Sequence, residues 1–573
     1  VADTRGNGFS GQYGPPSLPA GLIRTFEIAQ QCGIPSSTVA VSFNFTVVDT
    51  AANGDLRVFA AGSPVPFAST QNWTASTVAI ANAAVATLGA GGGISVLVDG
   101  VGSINLIIDV NGYYAGGVVT GVIPGVGLTG GGAGDATLSL DTVFTDARYQ
   151  RRYVRTVVVG PVGTPTANGA ALLAASAAIT TAGPDNPWLL KIEPGIYDLG
   201  STGLVMQSWI DIEGSGISRT KLTRNGGVNS GDSATVILND DTELRDLSVE
   251  QRGGGLVAVA VFIPPAAHPP LSVPVLVPDP SWARVTRVAA SAFGASDITV
   301  GIFCDVVSAP VLREVSGSAR GGIGSYGVAN VGGNMLIHGV TATADTATRE
   351  NHGFDNTNGG GVIEDLTATA FGGFGTLAYG ISVEAGGLDV RHARVIAAGG
   401  DTNYGVFGGG SYVDLEVSTG GGFHNYGIYV NGVLSLFRSR VSGSGATTNN
   451  YGVYATFFSV PVLDGAQLSA FGGANAYALY LNGAGATILH SALAATQGRQ
   501  NNYGVYVNNS GGSFGISIDQ SIVQGATSSV FATGSEVVLV GGSKLTGGSV
   551  NGSGITCAAN YNGGYVFFPS TCP

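Results

Sequence analysis

Charge is scarce in this chain: 11% of its 573 residues are Asp, Glu, Lys or Arg, and lysine occurs only at Lys191, Lys221 and Lys544. With 24 basic against 37 acidic residues the formal charge is −13. No cationic surface exists to hold a phosphate backbone, so nucleic acid is not an expected partner. Long apolar runs are missing too. The longest, Leu256 to Pro265, is too short to span a bilayer, and no basic cluster marks a membrane surface. No secretory leader precedes Ala2-Asp3-Thr4-Arg5, which suggests numbering from a processed or truncated start. Cysteine is limited to Cys32, Cys304, Cys557 and Cys572. Only Cys557 and Cys572 read as a local pair, a disulfide closing a Gly- and aromatic-rich tail, and this favours an oxidising, extracellular setting. Cys304, alternating with Ile302, reads as a small buried hydrophobe, and Cys32 has no local partner. There is no P-loop, no metal-spaced His or Cys cluster and no serine-nucleophile elbow, so no catalytic residue, metal ligand or cofactor is assigned.

Glycine is abundant instead, 93 residues, beside 44% hydrophobic residues. It lacks a strict third-residue period, and the apolar content argues against both a collagen helix and a disordered tail. Short strands and tight turns suit this composition. The length predicts two or more domains, unless a repeat removes the need for one central core.

Residues 1–115 read as a β-sandwich. In Thr38 to Val48 the residues Val39, Val41, Phe43, Phe45 and Val47 alternate with Ala40, Ser42, Asn44 and Thr46. Further strands are expected at Leu56–Ala60, Ser76–Ala84, Ile94–Val98 and Ile104–Val110. Asp3-Thr4-Arg5, Ala68 to Trp73 and Asp109 to Tyr114 resemble a domain of bacterial secreted and surface proteins, which brings no catalytic residues. Residues 116–153 form a Gly-rich connector. Its Gly127-Leu128-Thr129-Gly130-Gly131-Gly132 and Phe144 to Tyr149 resemble connectors of phage tail fibres and bacterial surface fibres, commonly trimeric.

From 154 to 556 the chain repeats. Gly301, Gly327, Gly353, Gly380, Gly405, Gly427, Gly452, Ala478 and Gly504 form one column, eight steps covering 203 residues. Around it stand Asn403-Tyr404-Gly405-Val406, Asn425-Tyr426-Gly427-Ile428, Asn450-Tyr451-Gly452-Val453 and Asn502-Tyr503-Gly504-Val505. A unit of about 25 residues is one coil of a β-helix, giving about 14 coils and a rod of roughly 70 Å. A helix over Ala170–Ile179, then Pro194-Gly195-Ile196-Tyr197, resembles the start of the pectate-lyase-like right-handed parallel β-helix superfamily, in which a short helix covers the first rung. Seven prolines between Pro264 and Pro280 break the period and should bulge from the rod.

Two groups of acids are candidates for chemistry. Asp240, Asp241, Glu243, Asp246 and Glu250, interleaved with Arg245 and Arg252, read as a solvated corner rather than a Ca²⁺ or acid–base site. The corner column Arg313-Glu314, His338, Glu364-Asp365, Arg391-His392, Glu416, Arg438, Asp464, His490 and Asp519 alternates in sign, as a stacked surface does. The more informative feature is aromatic. With Ile428, Val453, Leu479 and Val505 inward, Phe407, Tyr429, Tyr454, Tyr480 and Tyr506 point outward as a ladder. Tyr404, Tyr426, Tyr451, Tyr477 and Tyr503 are then an internal or corner stack. The outward five are the candidate binding residues, for a sugar or for another copy, with cross-strand stiffening as the plain alternative.

The expectation is therefore all-β: an N-terminal β-sandwich, then a long right-handed parallel β-helix with a short N-terminal capping helix, ending in a disulfide-closed cap over 557–573. Its expected role is a secreted or cell-surface structural protein that self-assembles, as trimer or filament, into a fibre or adhesive appendage without catalysis. The alternative is a polysaccharide-binding or polysaccharide-cleaving protein of tailspike or pectate-lyase type, in the latter case a lyase or glycoside hydrolase.

Overall fold

The computed structural model describes residues 1–115, 128–130, 138–140, 153–226, 234–253, 255–265, 283–306, 309–385, 387–508, 514–534 and 536–573. The chain divides into two units, Val1–Thr145 and Asp146–Pro573. It is mostly β, about 4% helical, with a solenoid of about 13 turns, against the 14 that the repeat length suggests. Apart from the strands Leu128–Gly130 and Leu138–Leu140, and Tyr153, the connector lies outside the described residues, as do residues 266–282 of the proline-rich passage. No helix among the described residues is long and apolar enough to cross a membrane.

The first unit holds a five-stranded and a four-stranded antiparallel sheet whose apolar side chains share one core. Thr38–Val48 buries Val41, Phe43, Phe45 and Val47 as its alternation predicts. Val39 does not follow them: a register shift between Thr38 and Ala40 against Ser103–Ala115 leaves it exposed. The strand expected from Ser76 begins instead at Ala79. Ser76 has φ 64° and the Thr77 amide donates to Thr50 Oγ1, so a turn occupies those residues.

The second unit begins with the strand Arg155–Val159 and helix α1, Pro165–Ala178. α1 starts five residues before the sequence suggests because Thr164 caps it through the Ala167 amide and Pro165 fits its first turn. Leu172 inserts into the solenoid core. Tyr197 of the Pro-Gly-Ile-Tyr turn is fully buried, its hydroxyl donating to the Val159 and Glu193 carbonyls.

Each typical coil has three strands. In one, His424–Val430 belongs to a narrow sheet of 14 strands, while Leu434–Phe437 and Arg440–Ser444 belong to a wide sheet of 28. Pairing is parallel and residue-for-residue between coils, Tyr426 on Tyr451 and Ile428 on Val453. Ile428, Leu436 and Val441 fill the interior, all essentially inaccessible. Between the two strands of the wide sheet most coils turn through one left-handed residue: Arg287, Glu314, Gly339, Asp365, His392, Asp414, Arg438, Gly465 and His490 in succession. Behind that corner a serine ladder satisfies backbone amides, with Ser491, Ser521 and Ser543 Oγ accepting from Ala466, Ser491 and Ser521 N–H. At the C-terminus Cys557 and Cys572 are disulfide-bonded, and Asn560–Tyr561 pairs antiparallel with Phe567–Phe568.

Candidate functional site

The glycine column explains the outer surface of the narrow sheet. Gly405 faces inward against Val417 and the Gly427 carbonyl, where a Cβ would sit 2.1 and 2.4 Å from them. The strand bends there, and the inter-coil ladder resumes at Val406. Tyr404 before the bend and Phe407 after it consequently both face outward. The Tyr404 column is thus not internal: it lies on the surface beside the Phe407 column, a correction that follows from two consecutive inward positions at each glycine and its successor.

Tyr326, His352, Tyr379, Tyr404, Tyr426, Tyr451, Tyr477 and Tyr503 stack with neighbouring ring centroids 4.5 to 5.6 Å apart. Phe407, Tyr429, Tyr454, Tyr480, Tyr506 and Phe531 stack at 4.9 to 5.3 Å. The two columns meet edge to face, at 81° for Tyr404–Phe407 and 84° for Tyr426–Tyr429. One coil spacing is about 4.8 Å, so ring faces are taken up within the columns and the exposed parts are ring edges and phenol oxygens. A sugar reaching this surface meets hydrogen-bonding edges rather than a free aromatic face.

Amide ladders border the rings. Asn501 Nδ2 donates to Asn475 Oδ1 at 2.8 Å, and Asn475 Nδ2 to Asn449 Oδ1 at 2.9 Å. On the other side Asn508 Nδ2 donates to Asn482 Oδ1 at 3.0 Å, and Asn482 Nδ2 to the Tyr454 hydroxyl at 3.3 Å. The five strands between Thr402 and Asn508 in this sheet contain no Asp, Glu, Lys or Arg. Burial lowers the His424 imidazole, keeping it neutral beside Asn449. Burial also raises the phenols of Tyr426, Tyr451 and Tyr480, the last to about 12, so these three keep their O–H donors well into alkali.

The band ends at a charged coil that inspection of the sequence missed. His352 occupies the tyrosine position, with Glu350 and Asp355 on the same strand. Its signal in the sequence is a histidine where the neighbouring coils have Tyr326 and Tyr379, which the glycine column by itself does not show.

On the wide sheet the corner residues form an alternating surface, with Asp414 in place of the expected Glu416, which lies on the next strand in register with Arg394 and Arg440. His338 Nδ1 lies 3.7 Å from Glu364 and 3.5 Å from Asp365; His392 lies between Asp365 and Asp414; and Arg438 holds Asp414 through two hydrogen bonds. Arg313, His338, Glu364, Asp389 and Arg391 line an open cavity of about 500 Å³ over Leu312 and Ile337. The earlier acidic group is also paired: Arg245 with Glu213 and Glu243, Lys221 with Glu250, and Arg287 with Asp246. Among the described residues no group of three or more His, Cys, Asp or Glu side chains is placed to hold a metal ion. Cys304 is buried and Cys32 exposed, both as free thiols.

No protein-family model matches this chain, and no curated protein does. Among solved structures it is similar to the A-module of mannuronan C-5 epimerase AlgE4 from Azotobacter vinelandii, 12% identical, covering 59% of this chain and 95% of that one, TM-score 0.37. It is similar also to the catalytic domain of a GH87 α-1,3-glucanase, 11% identical over 88% and 87% of the two chains, TM-score 0.24. DFA-IIIase from Arthrobacter chlorophenolicus A6 is 10% identical over 70% and 84%, TM-score 0.25. These neighbours are parallel β-helix, carbohydrate-active proteins.

Proposed function

We propose that this chain is a polysaccharide-binding β-helix protein whose binding surface is the tyrosine–asparagine face of the narrow sheet. The observation that carries the reading is that face itself: five successive strands with no Asp, Glu, Lys or Arg, each bearing a phenol hydroxyl, with hydrogen-bonded amides beside them from Asn449 onward. An extended, neutral glycan offers hydroxyls at a similar repeat, and uncharged donors and acceptors on a rigid sheet suit it without desolvating a charge. Phe407, Tyr429, Tyr454, Tyr480 and Tyr506 are the binding residues in this reading. The N-terminal unit then serves as a β-sandwich surface module, α1 caps the first coil of a right-handed helix, and the protein works secreted or at a cell surface. Assembly into a fibre has no comparable support: the last coil carries its own antiparallel hairpin and disulfide rather than a bare strand edge.

Affinity electrophoresis against neutral glucans and mannans and against acidic alginate and pectate tests this. Retardation by a neutral polysaccharide is expected, lost in a triple Tyr429→Ser, Tyr454→Ser, Tyr480→Ser variant and weakened in the matching triple Phe variant, which keeps the ring stack. Retardation by acidic polysaccharides alone, or an unchanged response in both triples, overturns the reading.

A further inference from the structure

The coil at one end of the tyrosine face breaks the pattern in a single residue. Tyr326 and Tyr379 sit in register above and below His352, and the imidazole stacks between their rings at 4.7 and 4.5 Å. Only 8% of the side chain is exposed. Its Nδ1 lies 3.3 Å from Asp355 and its Nε2 4.0 Å from Glu350, yet neither nitrogen makes a hydrogen bond of good geometry.

The groups facing this imidazole are predominantly acidic. Its own strand supplies Glu350 and Asp355, with Arg349 just before them. The preceding coil supplies Tyr326, whose hydroxyl donates to Glu350 at 3.2 Å, and the following coil supplies Tyr379, with Glu384 beyond it. An imidazolium suits such a place, with a carboxylate at each edge and an aromatic face on each side. A neutral ring does not. It leaves two enclosed nitrogens without firm partners, Asp355 without its adjoining cation and Glu350 with only Arg349.

We propose that His352 is a pH-sensitive lock on the tyrosine columns: as the cation it ties three successive coils together, and its loss of a proton loosens them and weakens glycan binding on the adjoining face. The binding half of this rests on the proposed function; the lock itself does not. Burial pulls the imidazole's proton affinity down, but the Asp355 and Glu350 carboxylates beside it outweigh that, and the net direction is upward. Because the folded value is raised, this contribution is complete below the ordinary imidazole value near 6.5 and disappears as pH climbs through the folded one. The carboxylate partner moves the opposite way, Glu350 being lowered chiefly by His352.

Two measurements on the full chain decide the matter. Histidine Cε1–H NMR from pH 5 to 9, with the His352 signal assigned by its absence in His352→Tyr, should give a titration above 6.5; one at or below 6.5 overturns the lock. Thermal unfolding over the same range should show a fall in midpoint toward alkaline pH that is smaller in His352→Tyr, which restores the column residue. Identical pH profiles overturn the lock, and should His352→Tyr not fold, His352→Phe, which also restores an aromatic ring to the column, supplies the assignment and the comparison. Electrophoretic retardation by the neutral polysaccharide should weaken several-fold from pH 6 to pH 8.5 in the wild type and stay level in His352→Tyr. No retardation at any pH, with the unfolding difference intact, removes the glycan reading and leaves the lock standing.

Discussion

Single side chains inside the narrow sheet decide where its polar ladders run. Asn403 Nδ2 donates to Asn425 Oδ1 at 2.8 Å, and Asn425 Nδ2 to Asn450 Oδ1 at 3.1 Å, all three fully buried. The next coil has Ala476 in that position, and Asn450 Nδ2 is left without a partner. Asn425→Ala removes two buried hydrogen bonds, although Asn403 Nδ2 keeps the Gly400 carbonyl and Asn450 Oδ1 keeps the Ala446 amide, and should destabilise by about 1–3 kcal/mol in thermal or denaturant unfolding. Ala476→Asn should do the reverse. It gives Asn450 an acceptor in a space whose neighbours above and below, Asn450 and Asn502, already hold asparagine, and a gain of about 0.5–1.5 kcal/mol is expected. A loss of stability in Ala476→Asn would show that the interior is too tight there for the longer side chain. Gly405→Ala is the steric counterpart: its new methyl meets Val417 and a backbone carbonyl, and should cost about 1–3 kcal/mol.

At the scale of strands and corners, the sequence disclosed periodicity better than direction. The glycine column located the narrow sheet because a bend against the facing wall recurs in each coil, and Ile428, Val453, Leu479 and Val505 do point inward. Simple alternation then misplaced Tyr404 and its partners, since the bend makes Gly405 and Val406 both face in. It also left His352 unseen, because its meaning depends on the coils above and below. The charged corner was legible for a different reason. Stacked turns bring like positions together, so alternating sign is the pattern that avoids repulsion. Asp414 and Arg438 meet there in a well-formed but solvent-facing pair, and removing either should change the unfolding midpoint by no more than experimental error. Glu364→Gln with Asp365→Asn should likewise leave glycan retardation unchanged. If purified protein shortens a polysaccharide and this double variant abolishes that, the cavity beside His338 is catalytic and the binding-only reading fails.

Across the whole molecule, the solenoid has no central core of the usual kind: each coil touches the coil before and the coil after, and the apolar interior is a continuous column. Stability in such an array is close to a sum of coil and interface terms, so damage at an end should stay near that end. The C-terminal end offers the test. Cys557 lies on the strand Ile555–Ala558, which pairs with Val538–Gly541, and its disulfide to Cys572 holds down the tail that carries Phe567–Phe568. Lys544 rests 3.7 Å from the centre of the Tyr565 ring, a second contact tying the tail to the preceding coil. Closing a loop of 15 residues contributes about 3 kcal/mol in the chain-entropy account. Cys572→Ser should therefore release the tail and the strands from Val538 onward, read as faster hydrogen exchange by mass spectrometry. The coils between Thr402 and Ala455 should exchange as before, because more than two intact coils separate them from the break. If exchange instead accelerates uniformly from Arg155 to Pro573, the rod unfolds as one cooperative body, and the local accounting used above for Asn425, Ala476 and His352 must be replaced by a global one.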